Sequence, residues 1–358
     1  MTTDLKLLQG HAGAHISTPN RVAMAPMTRN RAGESRVPNE MMGRYYAQRA
    51  TGGLLISEAC DVSPAAIGYP GTPGIYTPEM VRGWKAVVAA VRGAQPAPAP
   101  FFCQLFHTGR VSHGSLRADG SPGVAPSAIA AGVDLYTPVG LEAAAMPTAL
   151  TAEGIADTVA DYVAAAHAAI DAGFDGVEIN GGNGYLVHQF LSDGTNHRTD
   201  AYGGSVENRL RFVLEVIDAV GEAIGFDRVA LRVSPKNTTN NVHESDPEAV
   251  YLALAQEVQE RDLAYLHVIE NAHDVSITPR IREAFTGTLV ANDSYDRDTA
   301  ETALQQGLVD IVSFGRHFLA NPDLPHRFAV GAELNEADVA TFYGGAEPGY
   351  VDYPALNG

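Results

Sequence analysis

Polar side chains follow one short apolar run near the middle of the chain, at a spacing that could hold and protonate a small molecule. Residues 176–180 (GVEIN) have the composition of a buried strand, and Asn183 and Tyr185 come soon after it. The amides of Asn180 and Asn183 could bind one substrate oxygen while a tyrosine hydroxyl donates a proton beside it. The same residues could instead satisfy loop backbone groups and pack as a capped aromatic. The choice depends on the elements that position them.

Eight short apolar runs recur along the chain, with amphipathic helical patterns between them. The runs are residues 21–26, 53–59, 100–106, 176–180, 229–234, 264–269, 287–292 and 310–315. Helical patterns include residues 155–172, 205–224 and 247–261. Eight alternations of strand and helix predict an α/β fold, a (β/α)8 TIM barrel. A doubly wound parallel sheet is the alternative, but it needs fewer strands and a glycine-rich first turn, which the first run lacks.

Two further segments belong to this single predicted domain, which spans residues 1–358. Residues 5–18 alternate weakly in polarity and predict an N-terminal β-hairpin that closes the bottom of the barrel. Residues 107–150 show no long helical pattern and contain clusters of Gly, Pro and Ser. A connection of that length in a compact domain is usually functional, so we expect a long loop after the third strand that serves as a lid.

Composition limits the possible partners. The 358 residues carry a formal net charge of −18, and such an acidic surface disfavours nucleic-acid binding. The N-terminus lacks an apolar signal core, and no apolar run approaches the length of a membrane span, so we expect no membrane partner and a cytoplasmic protein. Cys60 and Cys103 lie in apolar runs and are expected to be buried free thiols, with no metal site.

The active site of such a barrel lies at the carboxyl ends of its strands. Amides and single cations dominate there, rather than the carboxylate pairs of two-metal hydrolases or glycosidases. The residues at these ends include Pro26, Met27, Thr28, Ala59, Gln104, Arg232, Asn292, Asp293, Gly315 and Arg316. This set suits a planar, polar heterocycle. Gly315 and Arg316 offer an open backbone amide and a guanidinium, which suit a phosphate, although Arg316 could equally form a surface ion pair.

Longer stretches resemble a known family, the old yellow enzymes, which are FMN-dependent ene-reductases that include 12-oxophytodienoate reductase-like proteins. The resemblance covers nearly the whole chain. Its motifs are NRVAMAPMTR (20–29), YYAQRA (45–50), GYPGTPGIY (68–76), QLFHTGRVSH (104–113), RTDAYGGSVENR (198–209), FGRHFLANPDL (314–324) and GYVDYP (349–354), together with the stretch around residues 176–185.

The resemblance implies a role for each matching residue. The implied FMN contacts are Pro26, Met27, Thr28, Ala59, Gln104, Arg232, Asn292, Asp293, Ser294, Gly315 and Arg316. Tyr185 would be the proton donor, and Asn180 and Asn183 would bind the substrate oxygen. Tyr69, Phe106 and Tyr350 would line the substrate pocket. The implied reaction is reduction of the C=C bond of an α,β-unsaturated carbonyl or nitro compound, with NADPH or NADH as reductant, by a monomer or homodimer.

Three positions depart from the family pattern. Asn180 stands where a histidine is usual, Phe106 where a tryptophan is frequent, and Asp293 where a glycine usually lies against the phosphate. Asparagine cannot become cationic, and an aspartate would repel a phosphate unless its carboxylate points away. These departures keep two alternatives open: a redox-neutral isomerase or desaturase on the same flavin scaffold, and a non-catalytic barrel that has lost FMN.

Overall fold

The computed structural model describes residues 5–356, so the first four and last two residues of the predicted domain lie outside it. The strands of the described part, in chain order, are β1 (His11–Ala12), β2 (Ser17–Thr18), β3 (Val22–Met24), β4 (Leu54–Asp61), β5 (Phe101–Phe106), β6 (Val124–Ala125), β7 (Asp134–Thr137), β8 (Gly140–Ala143), β9 (Thr148–Ala149), β10 (Gly176–Gly181), β11 (Val229–Val233), β12 (Tyr265–Ile269), β13 (Leu289–Asn292) and β14 (Ile311–Phe314).

The helices are α1 (Glu40–Gln48), α2 (Pro78–Ala94), α3 (Ala152–Ala172), α4 (Leu186–Leu191), α5 (Val206–Ile224), α6 (Pro247–Gln259), α7 (Thr278–Ala284), α8 (Arg297–Gln305), α9 (Arg316–Ala320) and α10 (Leu324–Val330). Short 3-10 helices cover Lys6–Leu8, Pro64–Ala66, Gly114–Leu116, Phe226–Arg228, Thr239–Asn241 and Val339–Thr341.

Eight of the strands form a closed parallel barrel in the order β10-β11-β12-β13-β14-β3-β4-β5, which closes by pairing of β10 with β5. Each barrel strand is followed by at least one α-helix before the next. The predicted (β/α)8 fold is therefore confirmed, and the doubly wound alternative is wrong. The eight predicted runs match these strands, with ends that differ by at most two residues.

Capping residues set the helix bounds. The side chain of Thr151 accepts a hydrogen bond from the backbone N–H of Gly154, so α3 begins at Ala152, three residues before the predicted start. Gly173 ends the same helix in the left-handed conformation that glycine adopts without strain. Ser205 caps α5 by accepting from the N–H of Asn208, as its position before the apolar pattern predicts.

The amino-terminal end of the barrel is closed by a hairpin, as predicted. Strands β1 and β2 pair antiparallel, and between them Ile16 is buried in the same apolar cluster as residues inside the barrel. The other members of this cluster are Ala23, Leu54, Ile56, Phe102, Ala230, Ala264, Tyr265, Val290 and Ile311. The bottom of the barrel is thus packed with side chains, which leaves the carboxyl ends of the strands for a site.

The predicted long loop after the third barrel strand lies between β5 and α3. It contains one 3-10 turn, a parallel bridge between β6 and β9, and the hairpin of β7 and β8. We call the β7–β8 hairpin, residues 134–143, the lid hairpin. Leu135 of this hairpin is buried in a small cluster with Val111 and Ala144, against which Tyr69 and Tyr185 pack.

Three buried arginines hold the C-terminal segment, residues 339–350, across the carboxyl ends of the strands. Arg29 donates to the carbonyls of Phe342 and Gly349, at 2.9 and 2.8 Å. Arg31 donates to the carbonyls of Thr341 and Ala346, and Arg49 to that of Tyr350. Guanidinium groups satisfy several carbonyls at once, so a segment whose one regular element is the 3-10 helix Val339–Thr341 is fixed in place.

Within residues 5–356, no helix is both long enough and apolar enough to cross a membrane. The same residues contain no group of three or more His, Cys, Asp or Glu side chains that could hold a metal ion. Cys60 and Cys103 are buried and free, as expected.

Candidate active site

A cavity of about 570 Å³ opens at the carboxyl ends of the barrel strands and collects most of the predicted site residues. The predicted residues that line it are Pro26, Met27, Thr28, Ala59, Tyr69, Gln104, Phe106, Asn180, Asn183, Tyr185, Arg232, Gly315 and Arg316. These residues come from six of the eight strands or from the turns after them, so the closure of the barrel brings them together.

A chain of buried hydrogen bonds forms the floor of the cavity. Asn180 Nδ2 donates to Gln104 Oε1 at 3.1 Å, and Gln104 Nε2 donates to Glu178 Oε1 at 2.7 Å. The other carboxylate oxygen of Glu178 lies 2.8 Å from His267 Nδ1, and His267 Nε2 lies 2.8 Å from Ser313 Oγ. Four strands are joined in this way, so the amide orientations at the floor are fixed.

Charge on this floor is compensated. Burial alone would raise the pKa of Glu178, but the nearby His267, Arg232 and Gln104 together hold it below its usual value, so the carboxylate is ionised. Burial lowers the pKa of His267 by more than Glu178 raises it, so the imidazole is neutral at pH 7. Glu178 therefore acts as the buried counter-charge of Arg232.

Arg232 has a buried guanidinium N–H that no described residue satisfies. Its Nη2 donates to Asn292 Oδ1 at 2.8 Å, and Asn292 Nδ2 in turn donates to the Ser313 carbonyl at 2.9 Å. Its Nε is buried and has no hydrogen-bond partner. A buried donor without a partner costs free energy, so a ligand that accepts a hydrogen bond at this point would stabilise the site.

Aromatic side chains form one wall of the cavity. The rings of Tyr185 and Phe106 meet edge to face, with centroids 4.5 Å apart, and the hydroxyls of Tyr185 and Tyr69 are 3.2 Å apart. Burial raises the pKa of the Tyr185 hydroxyl, which is therefore protonated at neutral pH. The sequence places a phenol at this strand end, and in the structure this protonated phenol lines the cavity.

The two asparagines differ in how many bonds they already make. Asn180 uses one N–H on Gln104, and its Oδ1 accepts from the backbone N–H of Gly182 at 3.2 Å. Asn183 has a left-handed backbone, with φ of 53°, and its Oδ1 accepts from Asn237 Nδ2 at 3.3 Å. Each amide thus has its oxygen occupied and keeps at least one N–H for a ligand oxygen.

Gly315 and Arg316 lie at one edge of the cavity, where a phosphate was predicted. The guanidinium of Arg316 sits 6.0 Å from the Phe342 ring centroid, and no carboxylate of the described residues pairs with it. A Cβ added to Gly315 would come within 3.6 Å of Met27 Sδ, at the cavity wall. The surface ion pair that was the alternative for Arg316 is not formed.

Asn292, Asp293 and Ser294 do not line the cavity. Asn292 acts through Arg232, as described above. Asp293 has φ of 92° and Ser294 φ of 60°, so the turn has the left-handed backbone that glycine adopts most easily. Asp293 is exposed, and its carboxylate accepts a hydrogen bond from Ser294 Oγ at 3.1 Å. The non-glycine residue at 293 is thus accommodated in a glycine-like turn.

Tyr350 was predicted to line the substrate pocket, and the structure shows that this is wrong. Its ring is fully buried and stacks on Tyr45, with centroids 4.1 Å apart, while the guanidinium of Arg31 lies 4.4 Å from its centroid. The aromatics from the C-terminal segment that do line the cavity are Phe342 and Tyr343. Tyr350 anchors the C-terminal segment, and this segment places Tyr343 at the cavity.

Several lining residues were not predicted. They are Arg29, Asn30, Pro70, Asp134, Leu135, Tyr136, Leu319, Phe342 and Tyr343. The lid hairpin could have been found from its alternating DLYT strand and the TPVG turn that follows. Phe342 and Tyr343 are followed by two glycines but by no pattern that points to a site, because their position depends on contacts with Arg29 and Arg31 about 310 residues earlier.

These residues fit FMN. Arg232, whose Nε is unpaired, lines the same cavity as Gln104, Met27 and Ala59, and Arg316 lines it without an ion pair among the described residues. A flavin offers hydrogen-bond acceptors along one edge of a planar ring and a phosphate at the end of its side chain, so donors of this kind complement it.

Comparison with known proteins agrees with this chemistry. A family model described as "NADH:flavin oxidoreductase / NADH oxidase family" matches residues 15–335. The chain is 44% identical to "Putative 12-oxophytodienoate reductase 5" of Oryza sativa subsp. japonica, over 97% of this chain and 93% of that protein.

Solved structures are also similar. Morphinone reductase superposes with a TM-score of 0.94 at 45% identity, covering 99% of this chain and 98% of that one. A second morphinone reductase structure, in complex with tetrahydroNAD, gives the same TM-score and identity over 98% and 97%. The old yellow enzyme homologue from Zymomonas mobilis gives a TM-score of 0.94 at 40% identity, over 98% of this chain and all 100% of that chain.

Proposed function

The chain belongs to the NADH:flavin oxidoreductase / NADH oxidase family, the old yellow enzymes, and is an FMN-dependent ene-reductase; we propose that it reduces activated alkenes with Tyr185 as the proton donor. The substrates are α,β-unsaturated carbonyl or nitro compounds. The observation that carries the proposal is the cavity itself, which has an unsatisfied guanidinium donor on its floor and a phenol and two amides in its walls.

FMN, when bound, supplies a hydride to the alkene after reduction by NADPH or NADH. Arg232 and Gln104 would hold the polar edge of the ring, Ala59 and Met27 would contact it, and Thr28 would offer its hydroxyl. Gly315 and Arg316 would hold the phosphate. Because Glu178 already balances the charge of Arg232, binding depends on the direction of the free Nε–H more than on net charge.

Asn180 and Asn183 bind the carbonyl or nitro oxygen of the substrate in this proposal. Their amide oxygens are occupied by Gly182 and Asn237, so the amides turn their N–H groups toward a ligand oxygen. Negative charge develops on that oxygen as the alkene accepts hydride, and fixed donors that are already oriented stabilise it. Phe106 and Tyr69 shape the wall that holds the rest of the substrate.

Tyr185 donates a proton to the α-carbon. Its hydroxyl remains protonated at neutral pH because burial raises its pKa, which is the state a proton donor requires. The Phe106 ring packs on its edge and fixes its direction. The alternative of a barrel without FMN would require the donors of the cavity to be filled by protein groups, and Arg232 Nε is not.

The proposal is tested with purified protein reconstituted with FMN under anaerobic conditions. We expect a yellow spectrum that bleaches with NADPH or NADH and recovers with 2-cyclohexenone, with cyclohexanone formed in equal amount. Bleaching without recovery, or enone conversion that needs no reductant, would favour the redox-neutral alternative.

The Tyr185→Phe variant tests the proton donor. We expect flavin reduction within about twofold of the unmodified rate and an alkene half-reaction slower by about 100-fold, the lower range for loss of a general acid. Equal losses in the two half-reactions would contradict the role of Tyr185.

A further inference from the structure

Proton donation leaves Tyr185 as a phenolate, which the side chain of Asn240 helps to stabilise but cannot protonate again. Once its O–H bond breaks, the residue is a phenolate in a partly buried position, where ionised groups are poorly solvated. The next turnover needs a proton at the same oxygen. A group that both stabilises this phenolate and returns its proton would complete the site.

Tyr69 is placed for that task. Its hydroxyl oxygen is 3.2 Å from that of Tyr185, and the two rings meet edge to face at 87°. Burial raises the pKa of both hydroxyls, while the bond between them lowers the pKa of Tyr185 and raises that of Tyr69. Either hydroxyl can donate in this bond. When Tyr69 donates, the proton of Tyr185 is free to point into the cavity.

The backbone of Tyr69 is fixed by a buried ionic cluster that has no other evident use in the site. The Tyr69 carbonyl accepts from Arg36 Nη2 at 3.0 Å and from Thr72 Oγ1 at 3.2 Å. Arg36 and Thr72 both donate to Asp61 Oδ2, at 3.1 and 2.9 Å. Arg36 itself has a left-handed backbone, with φ of 58°. The cluster therefore acts as a positioning group for the tyrosine.

Tyr69 lines the cavity and is itself partly exposed. Tyr343 lines the same cavity, is 66% exposed, and is close enough to raise the pKa of both Tyr69 and Tyr185. Water at the mouth can thus approach the pair from the side of Tyr343, while Tyr185 faces the substrate.

We propose that Tyr69 is a second catalytic residue that relays protons to Tyr185, an inference that rests on the proposed role of Tyr185. The Tyr185 O–H bond breaks as its proton forms a C–H bond at the α-carbon, and hydride from reduced flavin supplies the electron pair at the β-carbon. In the same step the Tyr69 O–H proton moves to the Tyr185 oxygen, so both transfers lie within the alkene half-reaction. Water at the cavity mouth reprotonates Tyr69, so protons and charge balance over one turnover.

The Tyr69→Phe variant tests the relay, because it keeps the ring that forms the wall and removes only the hydroxyl. The two half-reactions are measured separately by stopped flow, with flavin content checked by absorbance. We expect flavin reduction within twofold of the unmodified protein and an alkene half-reaction slower by about 10- to 100-fold, the range for one hydrogen bond to a charged group. Tyr202→Phe is the matched control, since it removes a hydroxyl bonded to Glu215 at 3.0 Å outside the cavity.

A proton inventory separates a relay from a structural role. In mixtures of H2O and D2O, the alkene half-reaction of the unmodified protein should show a curved dependence on deuterium fraction, because two protons move, and Tyr69→Phe should show a straight line. An unchanged rate and an unchanged inventory in the variant would overturn the relay. Absence of enone reduction by the unmodified protein would overturn the proposed function instead, so the two failures are distinguishable.

Discussion

At the scale of single residues, the charges of Arg232 and Glu178 determine how the cavity floor binds a ligand. Arg232 is buried and faces the anionic Glu178, while Asn292 fixes one end of its guanidinium. The floor therefore carries almost no net charge, and its specificity comes from the direction of one N–H bond. A lysine at 232 would keep the charge and lose this direction, because an ammonium has no rigid planar fork.

The Asn180→His substitution asks whether the family's usual residue would bind the substrate oxygen better. An imidazole can become cationic, and a charged donor forms the stronger bond to an oxygen that gains negative charge. We expect kcat/KM for 2-cyclohexenone to rise about tenfold, equivalent to about 1.4 kcal/mol. Steady-state kinetics at pH 6 and 8 measure kcat/KM, and the increase should be larger at pH 6, where more of the imidazole is cationic.

Asn180→Leu serves as the opposite control for position 180, because leucine has a similar size and no donor. Its kcat/KM should fall. A loss in both variants would instead show that the bonds of Asn180 to Gln104 and Gly182 matter more than its free N–H.

Residue type alone could not tell which C-terminal tyrosine reaches the site. Tyr350 lies in the more recognisable motif, but Arg29, Arg31 and Tyr45 surround it and bury it. Tyr343 lies beside glycines, in a stretch without periodicity. The residues at the strand ends were predictable because strand direction alone fixes where they point; the tyrosines of the C-terminal segment were not, because long-range contacts place them.

At the scale of elements, the lid hairpin connects the loop after β5 to the two tyrosines of the site. Leu135 is 3% exposed and belongs to the small cluster on which Tyr69 and Tyr185 pack. Leu141, on the paired strand, is 61% exposed. One strand of the hairpin thus faces the site and the other faces solvent.

Leu135→Ala should loosen this contact without unfolding the barrel, because its cluster is separate from the main core. We expect kcat/KM for 2-cyclohexenone to fall about tenfold, consistent with the partial loss of a buried leucine contact, and the thermal midpoint of flavin release to change little. Leu141→Ala is the matched control and should leave both unchanged. A large drop in the midpoint for Leu135→Ala would mean that the hairpin supports the fold itself.

The loop that carries Tyr69 gives the protein a specific pH dependence. Burial raises the pKa of Asp61 to about 7, and its Oδ1 has no hydrogen-bond partner. In the unfolded chain the pKa of Asp61 is the ordinary aspartate value of 3.8, so between these pH values the folded state holds about one more proton. The contribution of Asp61 to stability is therefore lost as pH rises from about 4 to 7.

The Asp61→Asn variant removes this titration. Relative to the variant, the free energy of unfolding of the unmodified protein should fall by on the order of 4 kcal/mol between pH 4 and 7, about 1.4 kcal/mol per pH unit. Urea denaturation at three pH values measures how steeply the free energy of unfolding changes with pH. Asp274→Asn, at a side chain that is 85% exposed, should leave the slope unchanged. Parallel slopes for Asp61→Asn and the unmodified protein would contradict the assignment.

Regular elements were more predictable than the lid. The eight barrel strands are nearly continuous apolar runs because both of their faces are buried, and such runs are visible without any partner. The lid hairpin has short strands with mostly exposed residues, so its pattern is weak. Its contact with Tyr69 and Tyr185 is a property of tertiary packing, which one sequence does not reveal.

At the scale of the whole molecule, bound FMN should contribute to stability by mass action. A ligand that binds only the folded state stabilises it by about 2.7 kcal/mol at 100 times its Kd. Protein stripped of FMN should therefore unfold at a lower temperature, and added FMN should restore the midpoint. Differential scanning fluorimetry at several FMN concentrations measures this.

Riboflavin, which lacks the phosphate, is the control ligand for the phosphate edge. Riboflavin should raise the midpoint temperature of thermal unfolding by less than FMN does at equal concentration. In the Arg316→Gln variant the difference between the two ligands should shrink. Equal effects of both ligands on the unmodified protein would remove Arg316 and Gly315 from the proposed cofactor contacts.

The hairpin at the amino-terminal end of the barrel has a kinetic consequence. Ile16 and the apolar cluster around it fill that end of the barrel. Ligands therefore enter the cavity from the opposite end, where Tyr136 and Tyr343 line it. The nicotinamide and the enone must then enter through the same opening, one after the other. Double-reciprocal plots should give parallel lines, and a large excess of enone should slow turnover by excluding the nicotinamide, whereas intersecting lines would reveal a second entrance.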